Sequence, residues 1–328
     1  MDKVPTVSRV QRGQLACWVL RAGAYEAVVA EQGAQLLSFG RDGAAPIVWL
    51  SEQAEYRPGV SVRGGVPVCW PWFGDLARNP AAVRADWPQP DGAAAPAHGY
   101  ARGLSWSVSP LDAVASAAAA PGVGTPRVAK PGLVTLDDAA PSVGLSFKLD
   151  PPSDAAAPRP AIAVELRLRL DTDGKLQLSL RNHNLGPRDV TLSQALHTYL
   201  AVRDVAQASV DGLDGRPYID TLRDWQTVTQ RGPVRFDGEV DRIYLDVPGQ
   251  LAVHDPLAGR RIHLAIEGSR SAVVWNPHVA KAARLSQFAP DAWRGMLCVE
   301  TARVMQDVLT LAPGQSHCMA LSLWETPL

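Results

Sequence analysis

The sequence predicts an all-β fold, an antiparallel sandwich with few and short helices. Three observations carry that expectation. Apolar and polar residues alternate with period two over long stretches, turn clusters recur between short apolar runs, and no alternation of strand and helix patterns occurs. The clearest alternation covers residues 143–149 and 162–170. The turn signal Asp171-Thr172-Asp173-Gly174 follows, and residues 176–181 alternate again, which predicts an antiparallel hairpin with one buried and one wet face.

Shorter strands are expected at 190–200, 242–247, 250–254, 261–266, 272–275, 296–301, 308–311 and 317–324. Asp211-Gly212-Leu213-Asp214-Gly215, Val247-Pro248-Gly249, Pro256-Leu257-Ala258-Gly259 and Ala312-Pro313-Gly314 punctuate them. Helix is expected at 279–288, with 111–120 a weaker candidate. Residues 79–97, 113–141 and 151–160 are Ala/Pro-rich and read as loop excursions. None of them separates compositionally different halves, so residues 1–328 are expected to form a single domain.

Composition narrows the function. Hydrophobic residues make up 46% of the 328, enough for a sizeable core, and the net charge of −1 argues against a nucleic-acid footprint. No apolar run is long enough to span a bilayer, and residues 1–14 lack the plan of a signal peptide, so the expected compartment is the cytoplasm. The cysteines Cys17, Cys69, Cys298 and Cys318 show no C-x-x-C spacing and sit among apolar neighbours, as small buried hydrophobes do. No His/Asp/Glu cluster has metal-ligand spacing, and no nucleotide-binding, metalloprotease or hydrolase motif occurs, so neither a metal nor a cofactor is expected.

Chemistry concentrates in a few stretches. Met296-Leu297-Cys298-Val299-Glu300-Thr301-Ala302 places a carboxylate inside an apolar run, where it is costly unless paired or used. The plain alternative is a buried ion pair with a nearby Arg294 or Arg303, and on burial alone the two readings weigh equally. His197 falls in an alternating strand beside Gln194 and Tyr199, where a lone histidine is more often a satisfied core residue. Arg63-Gly64-Gly65-Val66-Pro67-Val68-Cys69-Trp70-Pro71-Trp72-Phe73-Gly74 combines permissive glycines, stiff prolines and flat aromatic faces. It reads either as an aromatic loop packed on the sandwich or as the rigid wall of a sugar site, with Trp72 in that wall. Arg102, in His98-Gly99-Tyr100-Ala101-Arg102, offers with Arg63 a pair of guanidinium groups suited to phosphate oxygens.

These stretches, in this order, together with Gly212-Leu213-Asp214-Gly215-Arg216-Pro217-Tyr218-Ile219-Asp220, Val240-Asp241-Arg242-Ile243-Tyr244 and Val274-Trp275-Asn276-Pro277, resemble the glucose-6-phosphate 1-epimerases, hexose-6-phosphate mutarotases of the aldose 1-epimerase superfamily. The resemblance runs from about Glu26 to the C-terminus. It implies a galactose-mutarotase-like β-supersandwich, an isomerase that needs no cofactor, and a hexose 6-phosphate as substrate. By motif it implies His197 as general acid and Glu300 as general base. Asp241 is then a holder of a sugar hydroxyl, Arg63 and Arg102 bind the 6-phosphate, and His98, Trp72 and Asn276 are further substrate contacts. A monomer is expected. Leu285-Ser286 replaces the Met-Asp common in the family, and Ala97 precedes His98 where some members have Gln, so fine substrate preference stays open. Two other readings remain: an aldose 1-epimerase acting on free sugars, which needs no anion clamp, and a sugar-phosphate-binding protein that has lost the chemistry.

Overall fold

The computed structural model describes residues 4–89, 94–114, 140–149 and 159–328. The all-β expectation holds. Two eight-stranded antiparallel sheets dominate, and the α-helices among the described residues are the short Ala81–Asp86 and His278–Ala282. None of the described helices is long and apolar enough to cross a membrane.

The hairpin legible in the sequence forms the middle of the outer sheet. Ile162–Asp171 pairs with Leu176–Asn184, setting Leu166 opposite Leu180 and Leu168 opposite Leu178. Every second side chain is buried and the others meet water, as period two demands. The turn is fixed by Asp171, whose Oδ1 accepts from the backbone N–H groups of Asp173 and Lys175 at 3.1 and 2.8 Å. Gly174 follows at φ +82°, where a Cβ would run into the Tyr25 ring. The sheet runs Ser209–Asp211, Gln250–Asp255, Arg260–Glu267, Ser316–Pro327, Leu176–Asn184, Ile162–Asp171, Ser142–Leu149, Ser107–Val114.

The second sheet, here the site sheet, runs Gln226–Thr229, Pro217–Asp220, Val240–Leu245, Ser271–Asn276, Met296–Arg303, Gln194–Leu196, Val68–Cys69, with Tyr199–Ala201 also pairing with Met296–Arg303. Its central strands do not alternate. Ser271–Asn276 is buried at every position and Met296–Arg303 at all but the last, because both faces are covered. One apolar cluster takes side chains from both sheets, among them Leu166, Leu178 and Leu321 from the outer and Ile243, Val273 and Val299 from the site sheet.

A four-stranded meander, Thr6–Arg12, Leu15–Ala22, Tyr25–Ala30 and Leu36–Arg41, joins them and was not expected from the sequence. A register shift at Val28/Val29 and runs of consecutive buried residues hide its periodicity. The strand expected at 190–200 is three short ones, Val190–Leu192, Gln194–Leu196 and Tyr199–Ala201. The chain leaves the ladder at Ser193, whose N–H donates to Pro71 O, and again at His197, whose N–H donates to Pro67 O.

Three expectations need correction. The helix at 279–288 is only His278–Ala282, because Gln287, at φ +55°, turns back to bind Glu55 N–H and Ser61 O. Residues 111–114 close the strand Ser107–Val114 instead of opening a helix; 115–120 lie outside the described residues, as does most of the 113–141 excursion. The segment 79–97 is not all loop. Ala81–Asp86 is helical, and the following Trp87 is buried with its indole N–H donating to Thr191 O at 2.9 Å. Of 151–160, only 159 and 160 are described.

Candidate active site

One face of the site sheet is the floor of a cavity of about 470 Å³, within the range of small-molecule sites. Strand register explains the floor. Ile243, Val273 and Glu300 stand side by side on adjacent strands, and two residues along, on the same face, stand Asp241 and Trp275. Glu300 is thus aimed into the cavity by an otherwise apolar strand and is 1% exposed.

His197 sits where the chain steps between Gln194–Leu196 and Tyr199–Ala201. Its ring lies parallel to that of Tyr199 at 4.7 Å and edge-on to Trp275 at 6.1 Å, which fixes its plane. Its Nδ1 is 3.4 Å from Glu300 Oε1, yet neither Nδ1 nor Glu300 Oε2 has a hydrogen-bond partner among the described residues. Neither arginine proposed as a structural partner reaches Glu300. Arg303 pairs with Asp307 at 3.1 Å, and Arg294 lies over the Trp293 ring.

Burial opposes charge on both members of the pair. It pushes the Glu300 carboxyl well above its usual range, Asp241 adding to the rise and Arg102 resisting it. It pushes the His197 imidazole well down, with His98, Arg102 and Arg63 pushing the same way. The 3.4 Å contact would favour an ion pair, but the desolvation of two fully enclosed groups outweighs it. Burial thus favours the neutral form of each group.

His98 is 5.5 Å from the His197 ring and is held at φ +63°. Its Nδ1 accepts the Gly74 N–H at 3.2 Å, which leaves Nε2 to carry the proton of the neutral ring. Burial first, then Arg102 and Arg63, lower its pKa to about 3. Gly99 beside it permits this placement, since a Cβ there would lie 2.0 Å from Trp70 O.

Arg63 lines the cavity, its Nε donating to Ser286 O at 3.3 Å and one terminal nitrogen to Tyr199 Oη at 3.4 Å. Asp241 also lines it, 3.5 Å from Lys281 Nζ. Three other expected residues are elsewhere. Arg102 is not in the wall: it donates to the Ala97 carbonyl, and its Nε is buried without a partner. Trp72 is fully buried, donates to Pro96 O at 2.9 Å and packs edge-on to Tyr100, so it belongs to the core; its neighbour Phe73 reaches the cavity instead. Asn276 is a strut, its amide donating to Trp293 O and Met296 O at 2.9 and 2.8 Å and accepting from His278 N–H at 2.9 Å.

The wall also holds Trp275, from a segment the resemblance places at the site, and residues not singled out for it in the sequence: Tyr199, Lys281, Asp75, Arg78 and Trp225. Tyr199 follows His197 by two in a β stretch and was findable from that spacing. Arg78 and Trp225 come from distant loops and carried no local signal. Among the described residues, no group of three or more His, Cys, Asp and Glu side chains could hold a metal ion.

Known proteins resemble this chain over most of its length. A family model described as aldose 1-epimerase matches residues 16–120 and 133–324. An Escherichia coli K12 protein provisionally named glucose-6-phosphate 1-epimerase is 30% identical over 299 residues, covering 91% of this chain and 86% of its own. A plant protein of the same provisional name, from Cenchrus ciliaris, is 29% identical over 299 residues, covering 90% and 80%. The crystal structure of a Salmonella typhimurium protein, provisionally described as a mutarotase, matches with a TM-score of 0.78 and 25% identity, covering 100% of this chain and 96% of that one.

Proposed function

The chain belongs to the aldose 1-epimerase family, an isomerase on the mutarotase-like sandwich, and we propose that it interconverts the α and β anomers of D-glucose 6-phosphate or a related hexose 6-phosphate. The observation that carries the chemistry is the close approach of His197 Nδ1 and Glu300 Oε1, 3.4 Å apart at the cavity, with Nδ1 and Oε2 lacking hydrogen-bond partners among the described residues. We read the chain as one domain, which the apolar cluster shared by both sheets supports.

Anomer exchange opens the hemiacetal ring, turns C1 about its bond to C2 and recloses the ring from the other face. Opening removes the O1 proton and delivers one to O5. Glu300 as carboxylate takes the first and His197 as imidazolium gives the second. The C1–O5 bond breaks, the O1–H electron pair completes the aldehyde, and the pair ends as carboxylic acid and neutral imidazole. Closure runs the same transfers backwards. The number of protons on the pair is unchanged throughout, so it titrates as a unit. Burial favours the neutral members and therefore favours the protonation state that accompanies the open chain. Asp241, which lines the cavity, is read as accepting a hydrogen bond from a sugar hydroxyl, and Arg63 as meeting the phosphate.

One observation favours a second reading, exchange of unphosphorylated aldoses. Arg102 is turned to the Ala97 carbonyl and leaves Arg63 without its expected partner. Anomer exchange measured by saturation-transfer NMR on glucose 6-phosphate, with free glucose as control, separates the readings. Protein-dependent exchange of the ester alone is the expected result. Equal exchange of both sugars favours the broader epimerase, and binding without exchange of either overturns the acid/base assignment.

A further inference from the structure

Three cationic side chains line the cavity, Arg63, Arg78 and Lys281. The charge of Lys281 is already engaged, 3.2 Å from Glu239 Oε1 and 3.5 Å from Asp241 Oδ2. Arg63 and Arg78 are the cavity-lining cations without a carboxylate partner among the described residues; Arg63 is held by a carbonyl and a phenol, Arg78 by an indole face. We propose that Arg78, braced on Trp225, is the second arm of the anion site and sets the preference for a phosphorylated sugar. The assignment rests on the hexose 6-phosphate reading above.

The base of Arg78 is fixed. It ends the single 3₁₀ turn Leu76–Arg78, whose first turn is capped by Asp75 Oδ1 accepting from Ala77 N–H at 3.0 Å. The next residue, Asn79, ties the turn down. Its amide donates to Phe73 O and Asp75 O at 2.8 and 2.9 Å, and its carbonyl accepts from Ser193 Oγ. The Asp75 carboxylate faces the same cavity but is engaged in the cap rather than paired to Arg78.

The head of Arg78 is oriented as well. Its guanidinium carbon lies 5.4 Å from the centroid of Trp225. The cation–π contact holds the guanidinium over the ring while leaving its N–H donors free for a planar or tetrahedral anion. Trp225 is brought there by a turn in which both Asp224 and Trp225 hold left-handed conformations, φ +50° and +59°. Two consecutive non-glycine residues in that region are unfavourable, and such strain persists where its surroundings impose it, often at a ligand site. Asp220 Oδ1 accepting from Leu222 N–H at 3.1 Å and Gln226 N–H donating to Arg223 O at 3.0 Å close the turn. Leu222 and Thr221 of the same turn also face the cavity.

The test uses the full chain and initial rates of anomer conversion for glucose 6-phosphate and for glucose. In Arg78→Ala, KM for the ester rises about tenfold or more, the scale of one lost charge-assisted contact, while kcat and the constants for glucose hold. Inhibition by inorganic phosphate weakens by a similar factor, and Arg78→Lys recovers part of both. An unchanged ester KM and unchanged phosphate inhibition in Arg78→Ala overturn the assignment, and so does an equal loss on ester and free sugar, which marks a brace of the cavity rim. Those outcomes are read against an active wild type. If wild-type protein does not exchange the ester at all, the hexose 6-phosphate reading falls, and this assignment with it.

Discussion

Two buried ionic clusters of this molecule have opposite fates. Around Arg260, the guanidinium is 7% exposed and its terminal nitrogens make four hydrogen bonds, to Ala45 O, Pro46 O, Ala201 O and Glu325 Oε2. Its Nε lies 3.5 Å from Asp255 Oδ2 without a hydrogen bond among the described residues, and the Asp255 carboxylate receives Arg203 N–H. Around Glu300, by contrast, the carboxylate meets one histidine at 3.4 Å without an aligned hydrogen bond, and Oε2 meets nothing among the described residues. The first cluster ties the outer sheet to the loop at 45–46 and to the strand Tyr199–Ala201, and Arg260, Asp255 and Glu325 do not line the cavity of Glu300. The second opens onto that cavity. A buried ionisable group held by several hydrogen bonds from its own chain is structural; one left almost without them at a cavity is free to act on a ligand.

The comparison is broken most directly at Glu300. Glu300→Gln is expected to lose at least about two orders of magnitude in turnover, measured by NMR anomer exchange, since a positioned acid or base contributes about 10²–10⁴-fold. The same variant should be at least as stable as wild type at pH 7. The carboxyl's folded pKa is raised, so the stability tied to its protonated form is full below the unfolded value and is lost as pH rises through the folded one. Gln keeps the neutral shape and does not titrate, so a urea midpoint well below wild type would contradict this account.

Arg260→Met should do the reverse. Stranding Asp255 and Glu325 is expected to cost about 3–5 kcal/mol of stability in urea unfolding, with kcat of the folded fraction unchanged. If kcat falls and stability holds, the division between the clusters fails. Arg63→Ala comes next, with a loss of about 1.5–3 kcal/mol in the binding of the ester. It should be read as KM, and the free-sugar constants are the control.

The smallest expected effect concerns pH. His317 is pushed down to about 4, by burial first and then by Arg303, whose guanidinium donates to its Nε2 at 2.9 Å. The fold holds the neutral ring, so this stability is full above about 6.5 and is lost as pH falls toward the folded value near 4. Between pH 7 and pH 5, His317→Gln should lose about 1–2 kcal/mol less stability than wild type in urea titrations. Equal losses would place the acid sensitivity in other groups, His98 first among them.

The difference between the sheets explains what could be read in advance. In the outer sheet one face is wet, so the pattern of 162–181 showed the hairpin and its turn. In the site sheet both faces are covered, and Ser271–Asn276 and Met296–Arg303 lose the alternation that would tell which side faces a cavity. Glu300 was still visible, because a carboxylate in an apolar run is anomalous wherever the run lies. Trp72 and Asn276 do not line the cavity; a rich motif does not say which of its side chains turns inward. Phe73, one residue on from Trp72, faces the cavity, as strand-like alternation permits.

The sequence by itself determined the central hairpin of the outer sheet, the family, and two groups able to exchange protons. Those properties are local, or belong to motifs held in a fixed order. Tertiary structure alone decided that Glu300 meets His197 and neither Arg294 nor Arg303, that Arg102 donates to the Ala97 carbonyl, and that Arg78 and Trp225, 147 positions apart in the numbering, share the cavity rim. The physical reason is range. Side-chain alternation repeats every two residues and can be read along a strand, whereas contacts between loops depend on sheet twist and strand order, which no short stretch of sequence contains.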